Sequence, residues 1–273
     1  MVELCKEEIE KIRLDVADAL KDFCNEYGLT YYLSGSTLLG AIRHRGFIPW
    51  NNTMSIMLKR EDYDLLVRIF NEKSIEKNST LRLFTYLDND EYGFAYGKIT
   101  DVDTILVQDG GEGDGLGVGI KVFPIDGVGK TLAQAEKTVK KAQYYHALLR
   151  LKAHKTHTQK FYSAGKIKRF KQKLRSKFIT RKGIIKKIEN LLRKEKLDSS
   201  AYAGVIISNF GAKAIVEKDI FLSTVTVPFE DRQYTTIAQY DKYLNAIFGD
   251  YMSLPAEKER KERQVKVYKK ELK

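Results

Sequence analysis

Hydrophobic positions recur every three or four residues at Ile9, Ile12, Val16, Leu20 and Phe23, which predicts an amphipathic helix over 3–27. Gly28 follows it, a residue that tolerates the left-handed conformation that ends helices. The short run Thr30-Tyr31-Tyr32-Leu33 reads as a strand, and Ser34-Gly35-Ser36 turns it into a helix reaching about His44. Residues 54–58 are apolar and predict a buried strand. Arg60-Glu61-Asp62 then opens a helix with Tyr63, Leu66, Val67 and Phe70 on its inner face. Strands are expected near 81–86, 94–99 and 104–108, and after the glycine-rich turn Gly110–Gly115 another over 118–123. From Thr131 to about Leu197 the pattern is helical. The last third mixes short helices with one strand near 225–227 and closes on a charged helix from Glu257. Helices alternating with strands and then giving way to a helical block imply an α/β (α+β) fold, a small mixed sheet flanked by helices.

Charge changes this picture in one place. Residues 150–196 hold 18 Lys and Arg against two Glu, a net +16, while the whole chain carries +12. The basicity belongs to one helical segment. Its apolar positions, among them Phe161, Ile167, Phe170, Leu174, Phe178, Ile184, Ile188 and Leu192, predict amphipathic helices with a cationic outer face. Such a face suits either plain solvation or docking to a polyanion: an anionic membrane face, an acidic glycopolymer or nucleic acid. Nucleic acid is the least expected, because no zinc finger, helix-turn-helix or aromatic-interleaved RNA motif occurs. No run of 18 apolar residues spans a membrane, and acids stand where a signal peptide places its apolar core, so a cytoplasmic location is expected. Cys5 and Cys24 lie nineteen residues apart on one predicted helix, roughly 28 Å, far beyond disulfide reach. His146, His154 and His157 show no metal-ligand spacing.

A strand, then Gly-Ser, then a helix brings backbone N–H groups and a helix N-terminus near a phosphate, although Gly-Ser turns are common without that use. The run from Tyr32 to Trp50, with Leu33-Ser34-Gly35-Ser36-Thr37-Leu38-Leu39-Gly40-Ala41-Ile42-Arg43-His44-Arg45-Gly46-Phe47-Ile48-Pro49-Trp50, carries more information. Ordered after it are Arg60-Glu61-Asp62-Tyr63, Lys98-Ile99-Thr100-Asp101 with Thr104, and Val122-Phe123-Pro124-Ile125-Asp126-Gly127. Phe229-Glu230, Tyr240-Asp241-Lys242-Tyr243-Leu244 and the stretch Phe248–Pro255 complete the set. Together they resemble the LicD/fukutin-type phosphotransferases along nearly the whole chain.

That resemblance implies a nucleotidyltransferase-like core over 1–130, a basic helical subdomain over 131–200 and a C-terminal part, 201–273, returning to the core. It implies transfer of a phospho-alcohol, such as phosphocholine or ribitol phosphate, from a CDP-activated donor to a glycan such as a teichoic acid. Gly35, Ser36, Arg43, His44 and Lys98 are then the candidate substrate-binding residues, with Arg43 suited to clamp a phosphate. Intact members are expected to hold Mg²⁺ or Mn²⁺ on carboxylates of adjacent strands. Here the pattern departs. After Trp50, where the family has Asp-Asp-Asp-Ile-Asp, this chain has Asn51-Asn52-Thr53-Met54-Ser55, and the strand carboxylate before Phe123-Pro124 is Lys121. Ala214 and Arg263 stand where a Glu and a His are usual. A hard divalent cation needs anionic oxygen ligands, so no metal or other cofactor is expected for this chain, and the inactive form of the transferase is the leading expectation. Replacement ligands from Asp62, Asp64 or Asp101 are the remaining route to a metal. A binding module without catalysis is the alternative, and a nucleic-acid-binding protein the second.

Overall fold

The computed structural model describes residues 1–108, 116–153, 178–260 and 265–270. After a two-residue strand β1 (Val2–Glu3), helix α1 spans Lys6–Tyr27 and buries Ile9, Val16, Leu20 and Phe23 on one stripe. It ends as the sequence predicts, with Gly28 at φ 66°. Strand β2 (Tyr31–Leu33), helix α2 (Gly35–His44), strand β3 (Ser55–Lys59) and helix α3 (Arg60–Glu76) follow in the expected order. Next come β4 (Leu81–Phe84), β5 (Gly97–Asp101), β6 (Thr104–Gln108) and β7 (Gly119–Gly127). The predicted strand over 94–99 starts later, because Phe94 and Tyr96 turn into an aromatic cluster with Tyr92.

The central sheet runs β2-β3-β7-β5-β4, and only the β3–β7 pair is parallel. One face lies on α1 and α3. Gly97 shows how close that packing is: a Cβ there would meet Leu83 Cδ1 at 3.1 Å and the Tyr63 hydroxyl at 3.2 Å. Two short strands, β8 (Tyr202–Gly204) and β9 (Ile215–Glu217), extend the end of β7. A hairpin, β10 (Thr224–Phe229) with β11 (Arg232–Ile237), packs beside β2, where one strand near 225–227 was expected. The period-two signal of β11 is masked by its polar residues, Gln233, Thr235 and Thr236.

The basic block contributes helices α4 (Leu132–Ala153) and α5 (Arg181–Leu192). Val139, Ala142 and Leu149 of α4 and Ile184, Ile188 and Leu192 of α5 share a second core with Tyr92 and Tyr96. Phe161, Ile167, Phe170, Leu174, His154 and His157 lie outside the described residues, as do the Gly110–Gly115 turn and Arg263. Phe178 is exposed, not on an inner face. Ion pairs join α5 to the central domain: Arg193 binds Asp64 and Glu189, and Glu189 also accepts from the Tyr86 hydroxyl. Arg181 holds the loop before β5 by donating to the carbonyls of Tyr86, Asn89, Asp90 and Tyr92.

The chain end corrects the sequence reading. Glu257 begins only a single 3₁₀ turn, and α6 (Tyr240–Phe248) is the last α-helix among the described residues. The charged segment then forms a strand, β12 (Val265–Lys269), between β1 and β6. Val267 is fully buried there with Ile9 and Val118. One apolar residue on the inner face suffices for a strand in a chain otherwise charged, and helical periodicity over so short a stretch is a weak signal. Cys24 is buried and burial pushes its thiol up to about 12, whereas Cys5 is exposed ahead of α1.

Candidate functional site

The motif over 32–50 folds as one unit because its small residues allow close backbone approaches. Gly40 on α2 sits against the Gly46 carbonyl, and Gly46 against the Glu230 carboxylate, so neither has room for a Cβ. Glu230, in the turn between β10 and β11, accepts from Phe47 N at 2.8 Å, and its own N–H donates to Arg45 O at 2.7 Å. Phe47 packs edge-on to Phe229. Trp50 meets the His44 ring edge-on at 5.7 Å, and the Arg260 guanidinium covers it at 5.6 Å.

Gly35, at φ 52°, opens α2 immediately after Ser34. A side chain at Gly35 would strike the Phe210 ring, which comes down over the helix start and packs on Phe248. Tyr243 of α6 reaches Ser34 and the Gly35 amide from below, and burial pushes its phenol up to about 12. Ser55, the first residue of β3, is tied to the same turn. Its N–H donates to Thr37 Oγ1 at 2.9 Å and its hydroxyl to Ser34 O at 3.2 Å. Thr53 donates through its N–H (3.2 Å) and hydroxyl (2.7 Å) to Asn51 Oδ1.

Strand register then assembles the rest. Ser55 pairs with Lys121 on β7, and Lys121 pairs with Lys98 on β5. Residues paired across adjacent strands share a sheet face. Ser55, Lys121 and Lys98 therefore form one row, on the face that Ser55 turns toward the α2 N-terminus. Two residues further along, the Phe123 and Tyr96 rings meet in a tilted contact at 4.6 Å, and His146 of α4 closes on Tyr96 and Phe94 at 6.2 Å each. His146 Nε2 is buried without a hydrogen-bond partner among the described residues. Burial, then the Arg150 charge, push that imidazole down to about 3, so it is neutral at ordinary pH.

Gly35, Ser36, Lys98, Ser55 and Lys121 thus converge on one end of the sheet, with the Asn51–Thr53 turn beside them. Arg43 and His44 lie at the other end of α2. Arg43 Nη1 donates to the carbonyls of Tyr251 (2.8 Å) and Ser253 (3.0 Å), fastening the segment after α6. Burial and the neighbouring Arg260 lower the Arg43 pKa, and burial with Arg43 lowers that of His44. Phe210 escaped the sequence reading, since it arrives from a distant element. Tyr243 appeared there only as part of the Tyr240–Leu244 motif, and His146, noted only for its lack of metal-ligand spacing, packs with its Nε2 buried against the aromatic residues of the site.

The donor set does not fit a divalent cation. Asn51, Thr53 and Ser55 bring neutral oxygens already engaged with one another or with backbone, and Lys121 brings a cation. The candidate replacements are employed elsewhere. Asp62 accepts from Thr30 N, Asp64 pairs with Arg193, and Asp101 accepts from Asp103 N. Among the described residues no three His, Cys, Asp or Glu side chains gather into a metal site. Ala214, where the family pattern has a Glu, is buried.

Comparison with known proteins agrees with the motif-bearing half of the chain. Residues 28–158 match the family described as LicD/FKTN/FKRP, nucleotidyltransferase domain. The lipopolysaccharide cholinephosphotransferase LicD of Haemophilus influenzae is 26% identical over 276 positions, covering 96% of this chain and 96% of its own. With the strand–Gly-Ser–helix turn, the paired row on β3, β7 and β5 and the Gly40–Gly46–Glu230 contact in place, this chain is similar to the LicD family, by its family model over residues 28–158 and by one member along nearly its whole length.

Proposed function

We propose that this chain is a LicD-type scaffold that recognises a CDP-activated phospho-alcohol and a cell-surface glycan without transferring one to the other. The observation that carries the reading is the Ser55–Lys121 pair: two positions where metal carboxylates are expected face each other across β3 and β7 as a hydroxyl and an ammonium. Without anionic oxygens there, nothing neutralises the donor's diphosphate in the metal-assisted manner or activates an acceptor hydroxyl. The similar cholinephosphotransferase makes phosphocholine the first alcohol to examine and lipopolysaccharide the first acceptor. The exposed Lys182, Lys186 and Lys187 of α5, opposite the buried Ile184, Ile188 and Leu192, support peripheral docking on an anionic membrane or glycan.

The test is release of CMP from CDP-choline with lipopolysaccharide present, in Mg²⁺ and in Mn²⁺. The chain as it stands is expected to release none above background. The variant Asn51→Asp, Asn52→Asp, Thr53→Asp, Met54→Ile, Ser55→Asp, Lys121→Asp is expected to gain metal-dependent release. Metal-dependent turnover by the unaltered chain would overturn the inactive reading and leave a working transferase.

A further inference from the structure

We infer that the Ser55–Lys121–Lys98 row is an anion site that takes a diphosphate ester without a divalent cation, its two ammonium groups supplying the positive charge. The inference rests on the reading above only for the ligand's organic part; the diphosphate chemistry follows from the row itself.

Lys98 and Lys121 are paired directly across β5 and β7, so their stems leave the same sheet face on neighbouring strands. Like charges placed opposite each other in a sheet are destabilising, and more so when desolvated. Here Lys98 is only 7% exposed and Lys121 is half-buried. A fold tolerates such an arrangement where an anion offsets it. The surroundings match that use. Ser55 continues the row toward the first turn of α2, where the helix dipole adds positive potential. Both lysines already engage neighbouring groups, so binding exchanges those contacts for charge-assisted hydrogen bonds to phosphate oxygens. On the same face, Phe123 and Tyr96 form an aromatic wall, and neutral His146 adds no competing charge. Tyr96 is buried in the second core, so Phe123, the partly exposed member of this wall, is the apolar contact offered to the organic part of the ester.

Two consequences separate this site from a metal-assisted one. Binding should persist in chelator, and added Mg²⁺ should weaken it, because the cation competes for the same phosphate oxygens. The probes are CDP and inorganic pyrophosphate, titrated calorimetrically in EDTA and in excess Mg²⁺. The expected result is binding of both in EDTA, with weaker affinity in Mg²⁺. Lys121→Met should weaken CDP at least tenfold, with the fold monitored by circular dichroism. Lys266→Met on β12, in the other sheet, should change nothing. Lys121→Asp should abolish pyrophosphate binding in EDTA. Three results would each overturn the inference: no binding of either probe in EDTA, binding that appears only with Mg²⁺, or a Lys121→Met protein that binds as the unaltered chain does. Pyrophosphate binding without CDP binding would retain the anion site and remove the nucleotide donor reading.

Discussion

Asp126→Asn should destabilise the protein by about 3 kcal/mol while leaving the candidate site in place. Asp126 lies near the end of β7, paired with Gly204 of β8, and is 1% exposed; it accepts two hydrogen bonds from Arg60, Nε at 2.6 Å and Nη2 at 2.7 Å. Arg60 opens α3, so the pair ties the start of that helix to the sheet end opposite the Ser55 row. Burial pushes the Asp126 carboxyl up, and the guanidinium pulls it back. Breaking a buried pair by removing one partner typically costs ~3–5 kcal/mol, mostly from the charge left without compensation. Asparagine keeps one acceptor oxygen, and Arg60 keeps Asp64 at 3.5 Å and the Tyr63 ring. Those residual partners place the loss at the low end of the range. Urea denaturation at neutral pH reads it. A double variant, Arg60→Met with Asp126→Leu, should recover most of the loss, because burying two apolar groups avoids both desolvation terms. A loss below about 1 kcal/mol for Asp126→Asn would refute the reasoning, since it would place the pair among weak surface bridges.

The buried His146 predicts a pH effect. Its folded pKa is depressed to about 3 from 6.5, so the stability it contributes is present above pH 6.5 and lost as pH falls toward 3. Each pH unit below 6.5 removes up to about 1.4 kcal/mol, or ~2 kcal/mol by pH 5. His146→Phe should flatten the stability profile by that amount between pH 6.5 and 5, and superimposable profiles would contradict it. Gly35→Ala should cost roughly 1–2 kcal/mol in chemical denaturation, from its left-handed backbone and the Cβ placed 2.9 Å from the Phe210 ring. An unaffected midpoint would show that Phe210 moves aside and that the backbone there is unstrained.

Local periodicity made most of the early fold legible, because α1, α2 and α3 each carry a continuous apolar face and β3 is an uninterrupted buried strand. The site's polypeptide was legible too: Ser34-Gly35-Ser36, Lys98, Lys121 and the Asn51–Ser55 run all fall inside dense motifs. Their convergence was not. It depends on strand register, Ser55 to Lys121 to Lys98, which residues 66 and 23 positions apart cannot announce locally. Phe210 and His146 reach the site from elements whose own sequences only ask for burial. β12 was misread for a different reason. Its place between β1 and β6 is decided by partners distant in the chain, and the short strand-favouring run Val265, Val267 and Tyr268 is hidden among the charged residues around it. Arg43 suggested a phosphate clamp from its motif, and the structure shows its Nη1 donating to two backbone carbonyls.

The central claim is that the paired positions on β3 and β7 no longer suit a divalent cation. Calorimetric titration of the unaltered chain with Mn²⁺ tests it most directly. The account predicts no stoichiometric site with a Kd below about 100 μM, because neutral oxygens and an ammonium cannot replace carboxylate ligands. A one-to-one Mn²⁺ site tighter than that, lost on Ser55→Ala, would contradict it.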